Sequence, residues 1–171
     1  MRNTIQDRLR ELRNKVRSSD LSQGGGLGNE VNYHIFDYDP EDEQAVMREV
    51  TNIASSLGNI KVFNIYDIII EILKEKNYLE KSFELEQKKG SDFVNKAIMR
   101  TLKTDSKNGL IIEKITGAVK KGDVIFLTGI GQSHQIIRAH TLLANLQSVI
   151  NDTENPVILF LIAKKIMTTS L

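Results

Sequence analysis

The chain contains no cysteine in 171 residues, which excludes disulfides, thiolate-held metals and cysteine nucleophiles. That absence fits a reducing cytoplasm. A long apolar run is missing as well: the longest, Val157 to Ala163, has the length of a strand and falls far short of a membrane span. The opening MRNTIQDRLRELRNK is charged and amphipathic, without the apolar centre of a signal peptide. Nor is there an excess of one charge. The formal net charge of +1 supplies no global attraction to nucleic acid or membrane surfaces. Apolar residues make up 40% and charged residues 26%, as in an ordinary globular protein, and the length suits one domain with a substantial core. The expectation is a cytoplasmic protein with no membrane partner.

Ile5, Leu9, Leu12 and Val16 are spaced by four, three and four, which predicts an amphipathic helix over 4–18. Its other faces are basic, with Arg2, Arg8, Arg10, Arg13, Lys15 and Arg17 against Asp7 and Glu11. Two readings follow: a helix laid on the domain with a solvated outer face, or a docking helix for an acidic partner or nucleic acid. Residues 19–30 hold four of the eleven glycines and read as a flexible connection. They do not form a phosphate loop, because no Lys-Ser or Lys-Thr follows at the required spacing.

Val31 to Tyr38 is rich in aromatic and β-branched residues and reads as a strand. Asp39-Pro40 then opens a helix, with Asp39 as N-cap and Pro40 at the first helical position. Val46, Val50, Ile53 and Leu57 form its buried stripe, and Gly58 is the expected C-cap. Lys61 to Ile65 reads as a second strand and Tyr66 to Glu75 as a helix carrying Ile69, Ile70, Ile72 and Leu73. Residues 76–121 are mostly helical, with Phe93, Ala97 and Leu102 on one piece, Leu110, Ile111, Ile115 and Val119 on the next, and a polar break at 104–109. Val124 to Thr128 is an unbroken apolar run suited to a central strand. A helix with Ala139, Leu142, Leu143, Leu146, Val149 and Ile150 on one face follows, then a break at 151–156 and a fourth strand at Val157 to Ile162. Alternating strands and helices predict parallel βαβ wiring with right-handed crossovers. The fold class is therefore α/β: a three-layer, Rossmann-like domain with a small, mainly parallel sheet of about four strands flanked by helices, plus the N-terminal amphipathic helix. The expected organisation is helix 1–18, connection 19–30, a single α/β domain 31–162 and an irregular or truncated tail 163–171.

Two strand-end segments could carry chemistry. Asp37 and Asp39, with Glu41, Asp42 and Glu43, lie at the C-terminal end of a strand, where ligands gather in open α/β sheets. Such carboxylates could hold magnesium, although capping and the helix dipole explain most of them. Asp37 is the exception. The segment Gly129-Ile130-Gly131-Gln132-Ser133-His134 joins a buried strand to a helix and could cradle an anion; a tight turn with Ser133 as N-cap explains it equally. The third glycine of a dinucleotide fingerprint is absent. His134 and His140 stand six apart, not the four that places two ligands on one helical face, so no metal site is expected. No nucleophile elbow surrounds Ser133. Arg138, His140 and Asn145 flank the apolar stripe of the last helix, within reach of a partner or of solvent. No catalytic constellation emerges.

The strings NEVNYHIFDYDPEDEQAV at 29–46 and DVIFLTGIGQSHQIIRAHTLLANLQ at 123–147 resemble the BrxB family of bacteriophage exclusion (BREX) defence islands. The likeness extends over roughly residues 1–162. It implies a bacterial protein of a multi-protein system that marks host DNA by methylation and blocks phage replication. It also implies an accessory role beside the alkaline-phosphatase-like component, PglZ, and other BREX proteins, with no cofactor and no catalytic residues carried over. Similar proteins continue past the last strand with a proline-glycine-tyrosine type loop, whereas LIAKKIMTTSL ends this sequence, as a truncated or frame-shifted reading frame would.

Three functions are open at this point. The first is a non-enzymatic adaptor that docks PglZ through Arg8, Arg13, Arg17, Arg138, His140 or Asn145. The second is a degenerate nucleotide- or magnesium-binding domain using Asp37 and the Gly129–Gly131 loop. The third, and weakest on charge, is DNA binding through the basic first helix.

Overall fold

A computed structural model describes residues 4–18, 21, 33–151 and 154–163. The glycine-rich connection (Leu21 apart), the first two residues of the expected strand at 31–38, part of the break at 151–156 and the tail from 164 lie outside the described residues.

Helix α1 (Ile5–Arg17) begins at a reciprocal cap. The Thr4 hydroxyl accepts from the Asp7 N–H at 3.2 Å, and the Asp7 carboxylate accepts from the Thr4 N–H at 3.3 Å. This satisfies backbone donors that a helix start leaves unpaired. The Thr4 hydroxyl, which also donates to the Asp7 carboxylate at 2.7 Å, and the Thr4 N–H hold the Asp7 carboxyl below its ordinary pKa.

Four strands form one sheet: β1 (Tyr33–Tyr38), β2 (Ile60–Asn64), β3 (Val124–Thr128) and β4 (Val157–Ile162), all parallel in the order β1-β4-β3-β2. Between β1 and β2 runs α2 (Glu43–Ser56). Between β2 and β3 come α3 (Ile65–Glu75), α4 (Leu79–Lys89), α5 (Ser91–Leu102) and α6 (Leu110–Ala118), and between β3 and β4 α7 (Ile130–Ser133) and α8 (Ala139–Gln147). The first crossover carries the chain over the full width of the sheet, and the next two bring it back one strand at a time. Crossovers of one hand running in opposite directions place their helices on opposite faces. The core divides accordingly. On one face, Leu9, Leu12 and Val16 of α1 and Val46, Val50 and Ile53 of α2 pack on Phe36, Phe126, Ile158 and Phe160. On the other, α3, α5, α6, α7 and α8 cover Ile125, Leu127, Val157 and Leu159. Strand β3 is buried at all five positions because both its faces are covered. Phe36, Phe160 and Phe126 run across three neighbouring strands, with centroids 5.7 and 5.2 Å apart. The expected α/β architecture is thus present.

Several local expectations are corrected. Asp39 occupies the N-cap position in extended backbone, but its carboxylate makes no capping bond; Pro40–Asp42 form a 3-10 turn and α2 starts only at Glu43. The helix ends on extended Leu57 rather than on a glycine cap at Gly58, which is not among the positive-φ glycines. Strand β2 is shifted back by one residue, because the Asn64 side chain accepts from the Asp67 N–H and starts α3 at Ile65. On α3, Ile68 is buried while Ile70 is only partly so. On α5, Val94 takes the buried place and Phe93 is 45% exposed. Val149 lies beyond α8 and is exposed.

The turn before β3 is pinned by Asn155, whose amide donates to the carbonyls of Lys120 (2.7 Å) and Asp123 (2.9 Å). The Asp123 carboxylate in turn accepts from the Lys120 N–H at 2.8 Å. Asn155 is buried, so replacing it by leucine strands two carbonyl acceptors. Asn155→Leu is expected to lower unfolding stability by about 2 kcal/mol, read as a reduced midpoint in urea denaturation.

Candidate functional site

Asp37 stands near the end of edge strand β1, and its partner comes from α1. The Arg8 guanidinium donates to Asp37 at 2.8 Å and lies 4.7 Å from the Phe36 ring centroid. Around this pair opens a cleft of about 380 Å3 lined by Ile5, Arg8, Asp37, Tyr38, Asp39, Asp42 and Ala163. The one carboxylate that capping does not explain is therefore an anchor for α1. Among the described residues no group of three His, Asp or Glu side chains is placed to hold a metal ion.

The glycine loop is closed on itself. Gly129 adopts φ +69, and a Cβ there would sit 2.1 Å from the Asn64 Oδ1 that caps α3. Gly129 thus has to be a glycine for two independent reasons, backbone conformation and the close approach of a side chain. Ser133 is not an N-cap: it is the last residue of α7, it is buried, and its hydroxyl donates to the Gly129 carbonyl at 2.8 Å. His134 is exposed and pairs through Nδ1 with the Gly131 carbonyl at 2.9 Å. Gly131 has open space around it. The two strand-end segments do not converge. Strand β4 lies between β1 and β3, and Gln132 and Ser133 line a groove separate from the Asp37 cleft.

The basic residues of α1 are mostly spent inside the molecule. Arg8 pairs with Asp37, Arg13 with Glu49 of α2, Arg10 with Asp7 and Lys15 with Glu11. Arg17 stays exposed. On α8, Asn145 is engaged too, donating to the Thr104 carbonyl at 3.0 Å and so tying α8 to the turn after α5. Arg138 and His140 are exposed, with His140 bonded to its neighbour Thr141 at 3.3 Å.

A surface that sequence patterning does not mark lies between α3, the α4–α5 hairpin and α7. It is a groove of about 320 Å3 with Ile69, Leu73 and Val94 in its floor. Tyr66 (42% exposed) and Phe83 (58% exposed) stand in its walls, with Glu86, Gln132 and Gln135 among its polar lining. Aromatic side chains held half out of water around an apolar floor are the usual anchors of protein recognition. Their signal in sequence is faint, because α4 contains no fully buried residue and its apolar positions define no stripe.

The fold and these surfaces define a three-layer α/β domain with an all-parallel sheet and, among the described residues, an apolar groove rather than a metal-binding cluster. The BREX protein BrxB family model matches residues 61–162, which include that groove. The BREX protein BrxB of Bacillus cereus (strain H3081.97) is 39% identical over 161 residues, covering 91% of this chain and 83% of its own length. The BREX protein BrxB of Escherichia coli O9:H4 (strain HS) is 27% identical over 159 residues, covering 91% of this chain and 78% of its own. The chain belongs to the BrxB family of the BREX phage-defence systems. No solved structure matches it. Among the described residues, no helix is long and apolar enough to cross a membrane.

Two measurements check this reading of the loops and of the α1 face. Gly129→Ala forces a left-handed alanine against the Asn64 cap and is expected to cost at least about 1–2 kcal/mol, seen as a lowered melting temperature. Second, desolvation and the Lys15 ammonium hold the His34 imidazole below its ordinary pKa of 6.5, against a bond that it donates to the Leu21 backbone, which raises it. The unfolded chain then binds the proton more readily, so this contribution to stability is present above pH 6.5 and lost as pH falls through that value toward the lowered folded pKa. Melting curves at pH 7.5 and 5.5 are expected to differ more for the native chain than for His34→Gln.

Proposed function

We propose that this BrxB-family chain is a non-enzymatic adaptor of a BREX complex, acting in the bacterial cytoplasm and docking the alkaline-phosphatase-like PglZ component. The observation that carries the reading is the groove walled by Tyr66 and Phe83. An apolar floor with exposed aromatic walls is poorly suited to a small polar substrate. It suits the side chains of another protein, which gain most where aromatic anchors are desolvated near the centre of a contact. Family membership supports a partner among the BREX proteins. Of the surface residues that sequence offers for docking, Arg138 and His140 stay available for the rim of such a contact, Arg17 is exposed on the opposite layer, and Arg8, Arg13 and Asn145 already have partners within the chain.

The nucleotide- or magnesium-binding alternative is weakened by the same geometry. Asp37 is neutralised by Arg8, Ser133 donates to Gly129, and the two segments face different cavities. DNA binding through α1 is weakened by the carboxylates that pair with four of its cations.

The test is a pull-down of the tagged chain co-expressed with the other BREX proteins. A stoichiometric PglZ band is expected, and Phe83→Ala or Tyr66→Ala should weaken the affinity by about 30-fold. Arg138→Gln should change it by less than about threefold, as a rim charge does. Capture that survives the Phe83→Ala, Tyr66→Ala double substitution removes the groove as the docking surface, and absence of PglZ from the native pull-down removes the adaptor reading.

A further inference from the structure

Residues 88–107 carry six lysines and arginines against two aspartates in a chain whose net charge is only +1, so positive charge is concentrated there. Helix α5 buries Val94 and Leu102. On the opposite side of the helix lie Phe93, Lys96, Met99 and Arg100, at spacings that share one face, and Lys103 follows at the C-cap. All of them are exposed. The contrast with α1 is informative. There four of the five cations are matched by carboxylates, whereas among the described residues none of Lys89, Lys96, Arg100 and Lys103 forms an ion pair. Charges left unpaired along one face keep their full attraction for an external polyanion.

The apolar members of the stripe narrow the choice of polyanion. Phe93 is 45% exposed and Met99 38% exposed. The Lys89 ammonium lies 4.5 Å from the Phe93 centroid, and Lys96, Met99 and Arg100 line a shallow cleft of about 220 Å3 with Thr104 and Asp105. Cations that track phosphates, interleaved with an exposed ring that accepts a base, are the elements of sequence-independent recognition of single strands. An acidic protein would use the cations and leave the ring idle. We propose that the outer face of α5 binds single-stranded nucleic acid, with Lys96, Arg100 and Lys103 on successive phosphates and Phe93 stacking on a base. This face is distinct from the proposed PglZ groove, and the inference does not depend on the adaptor reading.

The test uses the isolated full chain and fluorescence anisotropy with a labelled oligothymidylate of about 20 nucleotides. Three phosphate contacts give a salt slope near −2, so raising salt fourfold should weaken binding about 20-fold. The triple variant Lys96→Gln, Arg100→Gln, Lys103→Gln should lose at least about tenfold in affinity, and Phe93→Leu about fivefold or more through lost stacking. Arg17→Gln, on the opposite layer, should be within about twofold of the native chain, and native-like melting curves check that each variant is folded. Affinity unchanged in the folded triple variant overturns the assignment. So does binding of polyglutamate in place of the oligonucleotide, which makes the face a site for an acidic protein.

Discussion

A central parallel strand that is apolar on both sides cannot be left half wet. Because β3 and β4 pair in parallel and are apolar on both sides, each of their faces has to be roofed by helices. The long crossover from β1 to β2, followed by two short returns, is the path by which one chain supplies both roofs. Everything else hangs on that division. The face covered by α1 and α2 is closed by interlocked phenylalanines and by ion pairs reaching from α1 to β1 and α2. The opposite face carries the other six of the described helices, and on that side lie both the apolar groove and the cationic outer face of α5.

The two sides therefore handle charge differently. Helix α1 looks like an interaction helix when its charges are counted, yet Arg8 and Arg13 act inward, as fasteners. Helix α5 is less basic along its length, but its cations meet no carboxylate among the described residues. Counting charge by segment puts α1 first, counting unpaired charge puts α5 first, and pairing is a property of the fold.

Much of the architecture is legible in sequence because it rests on periodicity. The stripe Leu9, Leu12, Val16, the unbroken run of β3 and the break at 104–109 all express local hydrophobic patterning, and each lies where the pattern puts it. What escapes depends on contacts distant in sequence. Asp37 finds Arg8 across 29 residues and Asn145 finds Thr104 across 41, so neither pairing shows in local pattern. Gly129 reads as a loop glycine, but its reason is Asn64, on a different strand. Phe93 and Val94 are neighbours of similar hydropathy, and only the seating of the α4–α5 hairpin decides which of them is covered.

That hairpin holds a mechanical consequence. Helix α4 has no fully buried side chain, and it is bounded by two residues in left-handed backbone, Asn77 at φ 57 and Gly90 at φ 82. A segment with so few buried contacts opens at a free energy far below that of the whole domain. One wall of the groove is therefore a leaf spring clamped at both ends, while the other wall, α3, is part of the rigid core. The width of the groove can follow the shape of whatever enters it without loosening the sheet beneath.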